Sequence, residues 1–105
     1  MYAKVSMFRF RRGGAAEGVQ IVNTSVLPDA REQEGFRGAI GLSLDESNQG
    51  IVITLWETEA DLLASGPGPH YATQRNELGR LDDLLASPPV QNIYKVEFQM
   101  EPPEA

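Results

Sequence analysis

Cysteine is missing from this chain of 105 residues, and histidine occurs once, at position 70. The lack of cysteine excludes disulfide scaffolds, thiol nucleophiles and thiolate metal sites. A single histidine excludes a multi-histidine metal site. Basic residues are also few, because nine lysines and arginines stand against fifteen acidic residues, giving a formal charge of −6. An acidic surface repels phosphate backbones, so we expect no nucleic-acid partner.

Long hydrophobic runs are missing as well. No apolar stretch approaches the roughly 20 residues of a membrane-spanning helix, and the chain starts with alternating residues rather than with the apolar stretch of a secretion signal. We therefore expect a soluble cytoplasmic protein that does not bind a membrane. Hydrophobic residues make up 41% of the chain and are dispersed along it, which predicts one folded domain over residues 1–105 with a frayed tail at 101–105.

Alternating apolar residues predict four strands. These strands span residues 2–11, 36–44, 50–56 and 93–100. A stretch rich in turn-forming residues separates the second strand from the third, which predicts a hairpin. In the first strand, Val5 and Met7 fall on one face, whereas Phe8 and Phe10 fall on the other.

Helical spacing separates the strands in two places. Apolar residues recur at helical intervals from residue 15, and Pro28 either ends this helix near Leu27 or starts a further short turn. Thr58 and Asp61 form a capping box, which predicts that a second helix begins there. A Gly-Pro run interrupts this second helix, and helical spacing then resumes.

The resulting order, β-α-β-β-α-β, is typical of a ferredoxin-like α+β fold, an antiparallel sheet with helices on one face. The first and third strands are apolar on both faces, so the second face of the sheet would be bare in a monomer. A second copy of the chain is the simplest cover, and symmetric dimers are the commonest oligomers. We therefore expect a homodimer.

Two segments resemble the antibiotic biosynthesis monooxygenase (ABM) family. They are Gly-Phe-Arg-Gly at residues 35–38 and Ile-Val-Ile-Thr-Leu-Trp-Glu-Thr-Glu at residues 51–59. The resemblance extends in element order and spacing over most of the chain. It implies a dimeric α+β barrel with a pocket between sheet and helices in each subunit. It also implies a small aromatic substrate, such as a phenol, quinol or polyketide, and oxygenation without a bound cofactor.

The resemblance assigns roles to few residues. Trp56 matches a tryptophan that lines the pocket in many members, whereas the pocket histidine and asparagine positions fall at Leu42 and Val52. Neither of these side chains can hold a proton or orient an oxyanion, which favours an alternative, a non-catalytic small-molecule binding dimer on the same fold. An isomerase or cyclase is a third hypothesis. The haem-ligand position of the haem-degrading members falls near Arg75, so the resemblance disfavours haem degradation.

Under the oxygenase hypothesis, His70 is the candidate catalytic base, because an imidazole has an unperturbed pKa of about 6.5. Phe8, Trp56 and Tyr71 are the expected aromatic walls of the substrate site. Arg75 shares a helical face with Tyr71 and is the expected partner of a phenolate. The structural alternatives are a core role for Trp56 and solvated surface positions for His70 and Arg75. We expect neither a metal nor a cofactor.

Overall fold

The computed structural model describes residues 1–44, 48–65, 81 and 83–103. Within these residues, four strands form one sheet in the order β2-β3-β1-β4, with each neighbouring pair antiparallel. The strands are β1 (Tyr2–Arg9), β2 (Phe36–Leu44), β3 (Gln49–Trp56) and β4 (Val90–Lys95). The helices are α1 (Ala15–Ile21), α2 (Leu27–Arg31) and α3 (Glu59–Ala64), with a π-helical segment (Val22–Val26) between α1 and α2. The predicted ferredoxin-like α+β fold is confirmed.

The last strand begins and ends earlier in the sequence than predicted. β4 ends at Lys95, where the sequence predicts a strand that continues to residue 100. Lys95 pairs with Tyr2 at the start of β1, and the next amide, that of Val96, donates to the Met1 carbonyl at 3.0 Å. β4 therefore ends where its pairing with β1 ends, because hydrogen bonds to a neighbouring strand define a strand, whereas alternating apolar and polar residues alone do not.

The first helical stretch continues beyond Pro28, so the second of the two alternatives for this proline is correct. The Leu27 amide donates to the Val22 carbonyl, five residues back, which makes the connecting segment π-helical. In a regular α-helix the Pro28 ring would press against the Thr24 carbonyl, and proline has no amide to donate. A wider turn just before the proline relieves this contact. Pro28 then lies in the first turn of α2, where no amide is needed.

The second helical stretch begins as the capping box predicts. The Asp61 amide donates to Thr58 Oγ1 at 3.0 Å, and α3 starts at the following residue, Glu59. The predicted Gly-Pro interruption and most of the resumed helix lie outside the described residues. Leu81 and Leu85, at the end of that predicted helix, are described, and both are buried.

The helices cover one face of the sheet and form two apolar clusters with it. The first cluster contains Phe10, Ile21, Val22, Leu81 and Leu85, and the second contains Ala30, Trp56 and Leu62. The predicted faces of β1 are confirmed, because Phe10 is 5% exposed and Met7 is 45% exposed. None of the described helices is long and apolar enough to cross a membrane.

The opposite side of the sheet, which we call the open face, is covered by no described helix. By strand alternation and register its large apolar members include Val5, Met7, Ile40, Leu42, Ile51, Ile53, Leu55, Val90 and Tyr94. Ile40, Leu42 and Tyr94 are each at least half exposed. Apolar surface of this extent is rarely left bare on monomeric proteins.

Candidate functional site

A cleft of about 240 Å³ lies between the first helical stretch and strands β1, β2 and β3. It is lined by Phe8, Phe10, Val19, Val22, Asn23, Leu27, Gly41, Leu42, Ser43, Gly50, Ile51 and Val52. The Phe8 and Phe10 rings stack with centroids 6.1 Å apart and an interplanar angle of 19°. A mostly apolar lining with an aromatic pair suits a flat aromatic ligand.

The missing side chain of Gly41 contributes to the volume of the cleft. Gly41 pairs with Val52 and lies on the helix-covered face of β2. A Cβ atom at Gly41 would meet no other atom within 4 Å, so that position borders empty space. By contrast, a Cβ atom at Gly50 would lie 3.2 Å from Phe10 Cε2. Gly41 thus keeps the cleft open, whereas Gly50 lets the Phe10 ring approach β3.

A third glycine sets the distance between α1 and the sheet. A Cβ atom at Gly18 would lie 2.7 Å from Phe10 Cζ and 3.0 Å from Phe10 Cδ1. Carbon atoms in ordinary contact are about 3.5–4.0 Å apart. The Phe10 ring therefore occupies the space that a side chain at position 18 would need, and this close approach fixes one wall of the cleft.

Asn23 and Ser43 are the polar side chains among the described lining residues, and neither has a hydrogen-bond partner in the described part of the chain. The described lining contains no titratable side chain. It can therefore hold a ligand by apolar contact and by hydrogen bonds, but it cannot by itself accept a proton. Any base that acts on a ligand in this cleft has to come from outside the described lining.

The structure places Phe8 and Trp56, two of the predicted site residues, in different surroundings. Phe8 lines the cleft. Trp56 is only 2% exposed, its Nε1–H donates to Thr54 Oγ1 at 2.9 Å, and its ring meets Phe36 edge to face at 5.6 Å. Trp56 is not among the described residues that line this cleft, so contact between Trp56 and a substrate stays a prediction.

The other three predicted site residues lie outside the described residues. They are His70, Tyr71 and Arg75. Of the two positions at which the family resemblance expects a histidine and an asparagine, Val52 lies on the helix-covered face and lines the cleft, whereas Leu42 borders the cleft from a strand position whose side chain belongs to the open face. The spacing argument therefore leads to the right region of the fold, where this chain carries apolar groups.

Asn23 is a lining residue that the sequence-based predictions missed. It lies four residues after Val19 and four residues before Leu27, and both of these also line the cleft. A polar residue at helical spacing between apolar ones is the signal that could have identified it.

A half-buried lysine lies on the helix-covered face of β1. Lys4 Nζ donates to the Ser65 carbonyl at the end of α3, at 3.3 Å. Burial lowers the pKa of Lys4 below its ordinary value of 10.5, because desolvation disfavours the charged form. In the described part of the chain, no group of three or more histidine, aspartate or glutamate side chains could hold a metal ion.

The fold and the cleft together define a ferredoxin-like α+β protein with a mostly apolar cleft between the sheet and its first helical stretch. No family model matches the chain, and no curated protein matches its sequence. Several solved structures match its fold, at low sequence identity.

Three of these structures come from bacteria. A candidate antibiotic biosynthesis monooxygenase from Nitrosomonas europaea is 19% identical, with a TM-score of 0.73, and the match covers 93% of this chain and 100% of that one. SnoaB, a cofactor-independent oxygenase from Streptomyces nogalater, is 18% identical, with a TM-score of 0.72 and coverage of 94% and 95%. A monooxygenase from the gene ActVA-Orf6 of Streptomyces coelicolor, in complex with nanaomycin D, is 20% identical, with a TM-score of 0.72 and coverage of 97% and 92%. The resemblance to the ABM family is thus confirmed in the fold.

Proposed function

We propose that the chain is a cofactor-independent monooxygenase that acts on a small aromatic phenol or quinol. The cleft is the observation that carries this proposal, because it is mostly apolar, has the stacked Phe8 and Phe10 rings in its lining, and measures about 240 Å³. Two proteins with the same fold support it, since one is a cofactor-independent oxygenase and the other is a monooxygenase solved with nanaomycin D.

The proposed reaction needs no external reductant. A phenol with a hydrogen on the carbon opposite its hydroxyl reacts with O₂, one oxygen atom becomes a new ring carbonyl, and the other leaves as water. The substrate supplies all four electrons. With 1-naphthol as the substrate, the products are 1,4-naphthoquinone and one water molecule. The protein has to bind the phenol, remove its proton and exclude bulk water.

We assign the proton transfer to His70, because the described lining of the cleft holds no titratable group. A phenol with a pKa of about 10 and an imidazole with a pKa of about 6.5 differ by roughly 3.5 pKa units, or about 5 kcal/mol. A cation beside the phenolate lowers this barrier, and Arg75 is the candidate for that role. In this proposal Phe8, Tyr71 and Trp56 form the aromatic walls.

The proposed enzyme is a homodimer in which two open faces cover each other. Ile40 and Leu42 on this face are 52% and 50% exposed, and their burial against a second sheet is favourable by about 25 cal/mol for each Å² of apolar surface. Phe98 and Met100, beyond the end of β4, are 89% and 90% exposed. Side chains this large and apolar also favour a partner, and two sheets stacked face to face lie about 10 Å apart.

A second candidate function is ligand binding without catalysis. The observation that favours it is the apolar character of Val52, which lines the cleft, and of Leu42, since these are the positions where the resemblance expects an asparagine and a histidine. A protein that kept the cleft and lost the base would bind an aromatic molecule and leave it unchanged.

Oxygen consumption with 1-naphthol distinguishes these two functions. If the chain is a monooxygenase, we expect one O₂ consumed for each 1,4-naphthoquinone formed, with no hydrogen peroxide, at a rate above that of a protein-free control. Gly41→Val fills the cleft from a strand position where a Cβ atom would meet no other atom within 4 Å, and we expect at least a tenfold loss of turnover. Gln20→Leu, at an exposed position of the first helix outside the described lining of the cleft, is the control and should retain the rate.

Two results would contradict the proposal. If 1-naphthol binds in the cleft but no O₂ is consumed with any phenol or quinol tested, the non-catalytic binding function is correct. If the Gly41→Val variant turns over 1-naphthol at the rate of the unaltered protein, the cleft is not the substrate site.

A further inference from the structure

Asn23 interrupts the apolar side of the helix that faces the cleft. Val19, Val22 and Leu27 line the cleft from the same helical stretch, and Asn23 lies among them. Each neighbour contributes an apolar surface, whereas Asn23 contributes an amide that can both donate and accept a hydrogen bond. Asn23 is exposed at the rim of the cleft, and the described residues provide no hydrogen-bond partner for its amide.

The π-helical turn holds Asn23 in a defined position. The Leu27 amide donates to the Val22 carbonyl, five residues back, so the wide turn encloses Asn23. The next residue, Thr24, donates from its hydroxyl to the Gln20 carbonyl at 2.8 Å, so its polar group is already satisfied. Single π-helical turns of this kind occur often at functional sites. Asn23 therefore has a backbone held by the helix and an exposed side chain that is free to reach a molecule in the cleft.

The volume of the cleft limits the size of a ligand that would reach this amide. An apolar cavity of roughly 150 Å³ holds benzene. Scaled by the number of ring carbons, a fused pair of aromatic rings needs roughly 250 Å³ on the same basis. The cleft measures about 240 Å³, which matches two fused rings better than one ring or three.

We propose that Asn23 orients the substrate by donating a hydrogen bond from its side-chain amide to a carbonyl or hydroxyl oxygen on a fused two-ring aromatic molecule. This inference rests on the proposed function, since it takes the cleft as the substrate site. Apolar contacts with Phe8 and its neighbours hold the ring system, and those contacts alone do not distinguish one edge of the molecule from the other. The amide makes that distinction and fixes which ring carbon faces the reacting oxygen. Asn23 is thus a positioning residue.

Equilibrium binding of two ligands that are not turned over tests this role. 1,4-Naphthoquinone carries carbonyl acceptors, whereas naphthalene has the same ring system without oxygen, and calorimetry measures the affinity of both. We expect the unaltered protein to bind the quinone more tightly than naphthalene. We expect Asn23→Leu, which keeps the size of the side chain, to weaken quinone binding about threefold to tenfold, the range of one hydrogen bond, and to leave naphthalene binding unchanged.

Two further variants separate hydrogen bonding from shape. Asn23→Asp has the same shape but cannot donate when ionised, so it should also weaken quinone binding and should retain 1-naphthol, whose hydroxyl can donate to the carboxylate. This second ligand is measured without O₂, so that no turnover occurs. Gln20→Leu, an exposed position on the same helix that does not line the cleft, is the matched control and should leave all three affinities unchanged.

The outcomes distinguish this inference from the function on which it rests. If Gly41→Val abolishes quinone binding but Asn23→Leu does not weaken it, the cleft is the binding site and the role of Asn23 is refuted. Equal affinity of the unaltered protein for quinone and naphthalene refutes that role too. If the unaltered protein binds neither ligand, or if Gly41→Val binds both normally, then the proposed function fails together with the inference.

Discussion

The close approach of α1 to the Phe10 ring leads to a prediction for Gly18. An alanine at an exposed helix position is more stable than a glycine by about 1 kcal/mol, so Gly18→Ala would stabilise a helix that stood alone. In this fold, however, the added Cβ atom would lie 2.7 Å from Phe10 Cζ. Phe10 Cε1 would lie closer still, so a normal carbon contact of about 3.5 Å requires the ring to move by more than about 1 Å.

The Phe10 ring has little room for this movement. It is 5% exposed and packs in one cluster with Ile21 and Leu85. Overpacking a core of native density typically costs about 1–3 kcal/mol. After subtraction of the gain in helix propensity, we expect Gly18→Ala to lower the free energy of unfolding by about 1 kcal/mol. Because Phe10 also lines the cleft, the same variant should weaken the binding of a two-ring ligand.

Urea unfolding of four proteins at one fixed protein concentration measures this effect. They are the unaltered protein, Gly18→Ala, Phe10→Leu and the double variant, which together form a double-mutant cycle. In the Phe10→Leu background the aromatic ring is absent, so Gly18→Ala should stabilise by up to about 1 kcal/mol there. The coupling between the two positions should be about 1–3 kcal/mol. Stabilisation by Gly18→Ala in both backgrounds would refute the close contact and the shape of the cleft derived from it.

Three further predictions test the core, the open face and the buried lysine. Trp56→Ala should lower the free energy of unfolding, measured in urea, by about 3–5 kcal/mol, because the side chain is 2% exposed and its indole donates to Thr54. A loss below about 1 kcal/mol would contradict its burial. Met7→Glu should convert a dimer into a folded monomer, as measured by sedimentation. Met7 is 45% exposed within the subunit, so a charge there should cost little stability in the monomer but would be buried in the dimer. A dimer of unchanged stability would show that the open face is not the interface. Burial lowers the pKa of Lys4 in the folded protein below 10.5. Just below that pH the unfolded chain therefore binds more protons than the folded protein does, so the free energy of unfolding rises with pH across this window. The stability of the unaltered protein should therefore rise relative to Lys4→Met between pH 8 and pH 10, and parallel curves would contradict the shift.

Local patterns were sufficient for the order of the elements and for the faces of the first strand. The alternation that separates Met7 from Phe10 is a property of neighbouring residues, because successive side chains of any strand point to opposite faces. The same holds for the cap of α3, since Thr58 and Asp61 are three residues apart and their hydrogen bond closes within one turn.

The candidate site could be predicted only in part. The family resemblance led to Val52, which does line the cleft, and Phe8, expected as an aromatic wall, also lines it. It did not lead to Asn23 or Gly41. Helical spacing indicates which side of the first helical stretch is apolar. Whether the Asn23 amide on that side borders a cleft or packs against the sheet depends on the distance between helix and sheet.

The amino-acid sequence by itself determined the periods, the caps and the breaks of the chain, because each depends on residues within one or two turns. The tertiary structure decided where β4 ends, how the helix continues past Pro28, whether Trp56 is buried and where the cleft opens. Each of these depends on segments far apart in the chain, such as the Phe10 ring of the first strand region against Gly18 of α1. The physical reason is that strand ends, burial and empty volume depend on the contacts between elements, and a local sequence pattern does not specify those contacts.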